Sequence, residues 1–138
     1  MIIIEVKSVS KRYGETLAVE SCDLTVSSGE ILALLGPSGS GKTTLLRLIA
    51  GFEKPDGGRI LIAGRPVVGV AESIWIPAEQ RGVGMVFQDY ALFPHLTVAQ
   101  NVRFGLRSTD KIDRDGRVAE LLRLTELEHC AGRYPHQL

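Results

Sequence analysis

An α/β fold is predicted for this 138-residue chain by three observations. The chain opens with segments of alternating apolar residues, a wholly apolar run from Ile31 to Leu35 leads into a glycine-rich loop, and a helical apolar pattern leaves that loop at once. Strand, tight loop and helix in that order form the repeating unit of α/β domains. From about residue 95 the pattern becomes helical, so the predicted organisation is an antiparallel β-subdomain and α/β core over about 1–94, and part of a helical subdomain over about 95–138.

The elements follow in chain order. Ile2, Ile4 and Val6 alternate with Ile3, Glu5 and Lys7, which predicts a strand with one drier face. A basic and aromatic group, Lys11, Arg12, Tyr13 and Gly14, precedes a second alternating segment from Val19 to Val26. Ile31 to Leu35 does not alternate, which suits a strand of a parallel sheet covered on both faces. The helix built on Leu45, Leu46, Leu48 and Ile49 is predicted to stop at Gly51, with Pro55 beyond it. Pro55 to Gly58 reads as a turn and Arg59 to Ala63 as a short strand, while Arg65 to Gln80 shows no period. Gly82 to Phe87 (GVGMVF) reads as a second buried strand, ending in Gln88, Asp89 and Tyr90. Thr97 and Gln100 have the spacing of a capping box for a helix reaching about Leu106. Val118, Leu121, Leu122 and Leu124 mark another helix, starting near Asp113 and ending before Cys130, and Arg133 to Leu138 reads as loop.

The glycine-rich loop carries the chemistry. Gly36 to Thr44 reads GPSGSGKTT and fits G-x-x-x-x-G-K-[ST], the P-loop pattern, in its strand-and-helix setting. Wrapping a triphosphate requires sharp turns and N–H groups free of nearby Cβ atoms, which Gly36, Gly39 and Gly41 allow. The helix beginning near Lys42 adds unsatisfied N–H donors and a dipole that favours an anion by roughly 0.3 to 2 kcal/mol. Lys42 supplies a full charge for the β- and γ-phosphates, and the Thr43 hydroxyl suits Mg2+, a hard cation that prefers oxygen ligands. Pro37, Ser38, Ser40 and Thr44 complete the nucleotide-binding stretch of a P-loop NTPase core.

Composition bounds the rest. Sixteen basic residues balance sixteen acidic ones, which gives no sign of nucleic-acid binding, and none is expected. No apolar stretch approaches a membrane span and Met1 to Ile4 is no signal peptide, so a cytoplasmic protein is expected. Cys22 and Cys130 are far apart and read as reduced, packing thiols. His95 and His136 read as solvated loop residues.

Several ordered motifs together resemble the nucleotide-binding domain of an ABC transporter: KRYG at 11–14, LLGPSGSGKTTLLRLIAG at 34–51, PDGG at 55–58 and RGVGMVFQDYALFPHLTVAQNV at 81–102. The wording is most similar to ATPase subunits of bacterial importers of ferric iron, polyamines, sulfate and sugars, with ferric iron the first choice. The resemblance implies ATP and Mg2+ as cofactors. It implies that Tyr13 stacks on adenine, and that Gln88 is a Q-loop glutamine touching Mg2+ and the attacking water and taking part in catalysis with Lys42. In that setting Asp89 is not a Walker-B aspartate. Tyr90, Leu92 and Phe93 read either as an exposed apolar lip for a membrane partner or as core. The implied partners are permease transmembrane subunits, a second ATP-binding subunit in a head-to-tail dimer and, indirectly, a solute-binding protein, with the protein peripheral on the inner face of the cell membrane.

The family pattern continues beyond Leu138 into its signature, Walker B, catalytic glutamate and switch histidine, so no residue here takes those roles. Without a general base the 138 residues alone are expected to bind nucleotide at most, without turnover. The sheet is expected to present an apolar edge, and the helical subdomain to be incomplete. A GTPase is disfavoured by the absence of N-K-x-D.

Overall fold

The structure, a computed structural model, describes residues 1–106 and 111–138, which form two compact units, Met1–Met85 and Val86–Leu138. The first is built on an antiparallel sheet. Strands β1 (Ile2–Tyr13) and β2 (Thr16–Ser27) form a long hairpin, and β3 (Gly57–Ile62), β4 (Arg65–Gly69) and β5 (Ile74–Trp75) extend it in the order β2-β1-β3-β4-β5. The hairpin ladder is interrupted near two left-handed serines, Ser8 (φ 48°) and Ser21 (φ 40°). Each bulge amide is satisfied from the facing strand: Ser8 N–H donates to Asp23 Oδ1 at 2.9 Å and Ser21 N–H to Ser10 Oγ at 2.9 Å. Such bulges bend and twist a strand without leaving buried donors unpaired.

Helix α1 (Lys42–Ala50) buries Leu45, Leu48 and Ile49 in one cluster with Val6, Val9, Val19 and Ile60 of the sheet. Leu46 lies on the outer face, exposed, contrary to its place in the predicted apolar pattern. Leu45, Leu48 and Ile49 already fill the inward stripe at i, i+3 and i+4, and Leu46 falls to one side of it. Gly51 ends the helix as predicted, left-handed at φ 92°, its N–H donating to Arg47 O at 2.9 Å.

Four predicted segments need correction. The strand expected at Arg59 to Ala63 begins at Gly57, and the segment without period at Arg65 to Gln80 contains β4, β5 and a 3₁₀ turn, Ala78–Gln80. Val67, Val68 and Gly69 are all buried, so β4 shows no alternation to read, and Pro66 sits beside a register shift where the missing N–H is tolerated. Ile31 to Leu35 and Gly82 to Phe87 are not strands among the described residues. Ile31 is 98% exposed, Leu35 91% and Val86 95%. A strand exists by its pairing, and neither apolar run has a ladder neighbour here.

In the second unit α2 (Val98–Phe104) and α3 (Lys111–Leu124) pack through Val98, Val118 and Leu122. The capping box at Thr97 forms as predicted: Gln100 N–H donates to Thr97 Oγ1, and Thr97 N–H to Gln100 Oε1 at 2.9 Å. The preceding loop is held by Asn101. Its Nδ2 donates to the carbonyls of Phe93, Leu96 and Thr97, and its Oδ1 accepts from Phe93 N–H at 2.9 Å. Two 3₁₀ turns, Glu128–Cys130 and Pro135–Gln137, follow α3, the second within the stretch predicted as loop.

Candidate phosphate-binding site

The first unit holds a cavity of about 420 Å³ between β2 and the loop entering α1. Gly36, Pro37, Ser40, Gly41 and Lys42 form one wall, and Ala18, Val19, Glu20 and Cys22 of β2 the other. The pattern that predicted the first wall is local in sequence. The second wall carries no motif, and only the folding of the hairpin onto α1 brings it there.

Glycine is required at the junction. Gly41 is left-handed at φ 85°, and a Cβ there would collide with the carbonyl oxygen of Ala18. Gly41 is also the N-cap of α1 and provides no side-chain acceptor. The first intrahelical bond runs from Leu45 N–H to Gly41 O at 2.8 Å. The amides of Lys42, Thr43 and Thr44 precede that bond, so they have no acceptor within the helix and point the positive end of its dipole outward. No acidic residue occupies the first turn to compete for them.

Lys42 reaches back over the loop. Its Nζ donates to Gly36 O at 2.8 Å, Pro37 O at 2.6 Å and Ser40 Oγ at 3.1 Å. The ammonium is thus held at the cavity wall by three neutral acceptors and paired with no carboxylate among the described residues, leaving its charge available to an anion. Thr43 is exposed on the first turn beside it, and Ser38 and Gly39 form the exposed crest of the loop. Three helix amides, an ammonium without a counter-charge and a hydroxyl suited to a hard cation fit a phosphate chain with its Mg2+.

Tyr13 stands at the tip of the β1–β2 hairpin, half-exposed, and is not among the residues lining the cavity. Two groups hold it. Lys11 Nζ lies 5.1 Å from its ring centroid, and its hydroxyl bonds to Glu53. Lys11 in turn pairs with Glu53 at 3.1 Å and donates to Lys54 O at 2.7 Å. Arg12 N–H donates to Asp56 Oδ2 at 2.7 Å, so the KRYG and PDGG motifs, more than 40 residues apart, meet at one corner. The Lys11 hydrogen bond holds the Glu53 carboxyl below its usual pKa, with the Tyr13 hydroxyl assisting. Sequence reasoning missed Glu53 as a support of Tyr13 because it lies far along the chain, and it gave Lys11, in the same KRYG motif, no supporting role.

Gln88 belongs to the second unit, exposed in the turn that follows Phe87. Tyr90 and Ala91 of this turn are both left-handed, at φ 59° and 49°. Of the two readings of the apolar group, exposure prevails: Tyr90 is 80% exposed, and Leu92 and Phe93 are exposed while Phe93 packs on Phe104 with ring centroids 4.4 Å apart. Leu92, Phe93, Val98 and Val102 line an apolar hollow of about 370 Å³ in this unit.

The family model for the ABC transporter matches residues 19–138. Among curated relatives, the sulfate/thiosulfate import ATP-binding protein CysA of Thermosynechococcus vestitus is 50% identical over 137 residues, covering 98% of this chain and 39% of that protein. The spermidine/putrescine import ATP-binding protein PotA of Nitrosospira multiformis is 47% identical over 140 residues, covering 100% of this chain and 37% of that protein. The chain therefore spans about two fifths of the length of these curated relatives. Among solved structures, the dimeric structure of MJ0796, a bacterial ABC transporter cassette, is similar with a TM-score of 0.82 at 32% identity, over 99% of this chain and 63% of that one. A dimeric post-hydrolysis state of the same cassette, bound to ADP and Pi, is similar with a TM-score of 0.81 at 30% identity, covering 99% and 63% of the two chains.

Proposed function

The chain belongs to the ABC transporter family, and from that premise we propose that it is part of the ATP-binding subunit of an importer, coupling ATP binding and hydrolysis to solute uptake. The observation that carries this reading is the phosphate cradle: Lys42 unpaired by any carboxylate among the described residues, beside the open N–H groups of α1. In this reading Gly36 to Thr44 bind the triphosphate, Tyr13 stacks on the adenine, and Thr43 and Gln88 hold Mg2+. The metal, when bound, neutralises phosphate charge. Lys42 stabilises the charge that grows on the phosphoryl oxygens, and Gln88 orients the attacking water.

The partners we propose are permease subunits, met through the exposed group of Tyr90, Leu92 and Phe93, and a second ATP-binding subunit placed head to tail. A solute-binding protein acts through the permease, and the assembly lies on the inner face of the cell membrane. Among the described residues no helix is long and apolar enough to cross a membrane. The solute we propose is of the sulfate or polyamine kind that the relatives import by name. The ferric-iron preference drawn from the wording around Gln88 has no counterpart among them.

The 138-residue polypeptide alone is proposed to bind ATP without turnover, because none of its residues is assigned as general base. Equilibrium binding of ATP with Mg2+ to the chain and to Lys42→Ala tests the reading. Removing a charge that meets a triphosphate should weaken binding by about ten- to a hundredfold, at roughly 1.5 to 3 kcal/mol for a charged hydrogen bond. Equal affinities would remove the phosphate role from Lys42, and Mg2+-dependent hydrolysis that co-purifies with the chain would contradict the proposed inactivity.

A further inference from the structure

Arg81 is the one charged residue among the described positions in the first unit that is buried outright, 6% exposed. Its guanidinium lies at the C-terminal end of α1. Nη1 donates to Leu48 O at 2.8 Å and to Ile49 O at 2.9 Å, and Nε donates to Ile76 O at 2.7 Å. The plane stacks on Trp75, 4.6 Å from the ring centroid. Gly51 makes room for it: a Cβ there would stand 2.6 Å from Nε. No carboxylate pairs with Arg81 among the described residues, and its Nη2 has no acceptor there. Burial accordingly pulls its pKa below the usual arginine value.

An arginine kept in this state is an expensive way to fill space, since methionine would pack as well without desolvating a charge. What only the fork can do is bridge the helix end and the Ile76 carbonyl at once, with its positive charge on the negative end of the helix dipole. Helix α1 spans nine residues, or about 13 Å at 1.5 Å per residue. A tilt of roughly 10° about its C-terminal end would move Lys42 and the open amides by about 2 Å, a displacement on the scale that disrupts a positioned constellation of groups. The N-terminal end has no side-chain cap to restrain it.

We propose that Arg81 is a positioning residue for the phosphate site, anchoring the far end of α1 so that Lys42 and Thr43 are presented in one place. The role rests on the reading of Gly36 to Thr44 as a phosphate cradle, and acts through the helix without touching nucleotide.

The test compares the chain with Arg81→Met and Arg81→Lys, using ATP and inorganic tripolyphosphate as calorimetric probes together with amide hydrogen exchange of the unliganded proteins. Arg81→Met should bind both probes about tenfold more weakly, and its α1 amides should exchange more than tenfold faster while those of β1 and β3 keep their rates. Arg81→Lys should fall between, because an ammonium reaches the helix end but cannot bridge three carbonyls in a plane. Affinities within twofold of the parent, or exchange that accelerates equally in helix and sheet, would overturn the proposal. If Arg81→Met does not fold, Arg81→Lys decides by the same two readouts. If the parent chain binds neither probe, the phosphate reading fails, and the exchange pattern still decides whether Arg81 anchors α1.

Discussion

At the residue scale the cavity is made of unequal parts. Lys42 and Gly41 belong to a pattern whose every position has a chemical reason, so both are legible in the order of residues alone. Cys22 is not. Read as a packing thiol, it does pack half-buried against the core of the first unit, and it also lines the cavity wall opposite the loop. Desolvation, assisted by the Asp23 charge, raises its pKa, so its thiolate is scarce at neutral pH and grows as pH rises. Maleimide labelling at pH 8.5 should therefore modify Cys22, leave buried Cys130 untouched, and slow by about tenfold when ATP with Mg2+ fills the cavity; labelling indifferent to nucleotide would place the ligand elsewhere. Glu53 offers a second test. Its folded pKa is depressed by Lys11, so its contribution is complete above the unfolded value of about 4.3 and is lost as pH falls through the folded value. The tether of Tyr13 should loosen only below about pH 4.3. Tyr13 fluorescence and chemical-denaturation midpoints across pH 3 to 6 should change in the parent and lose that component in Glu53→Gln.

At the element scale the helices are easier to read than the sheet. α1 and α2 announce their ends locally, through Gly51 and through the Thr97–Gln100 box. β4 and β5 announce nothing, because three buried residues in a row in β4 and a strand of two residues in β5 carry no period, and the pairing that defines them comes from β3 for β4 and from β4 for β5. The loop before α2 shows the same limit. Its shape depends on four hydrogen bonds to one side chain, Asn101, that sequence places on a helix with no stated partner. Asn101→Ala would leave Phe93 N–H and Leu96 O to find other partners, while Phe93 O and Thr97 O keep the backbone donors Leu96 N–H and Asn101 N–H. A loss of about 1 to 3 kcal/mol is expected from urea unfolding, with the helix dichroism of the folded state preserved. A change below about 0.5 kcal/mol would mean that water replaces the side chain at no cost.

At the scale of the whole molecule, two apolar runs lie outside any sheet among the described residues, and their surface is the feature most open to measurement. Ile31 and Val86 are almost fully exposed. Unpaired apolar backbone of this kind invites association between chains. Ile31→Lys combined with Val86→Lys should reduce dye binding to apolar surface and concentration-dependent light scattering, while shifting the unfolding free energy by no more than about 0.5 kcal/mol. A loss of several kcal/mol would show that these side chains are buried in solution.

The phosphate loop, the helix it feeds, the capping of α2 and the resemblance that names the family all follow from the order of residues, because each rests on positions a few apart whose chemistry is local. Four other features come only from the folded chain: β2 forms the facing wall of the cavity, Glu53 holds Tyr13, Arg81 closes the far end of α1, and Ile31 to Leu35 has no ladder partner among the described residues. All four depend on how distant segments meet. A strand's state is set by its hydrogen-bonding neighbour, and a buried charge's role by the dipoles around it, neither of which is written beside the residue in the chain.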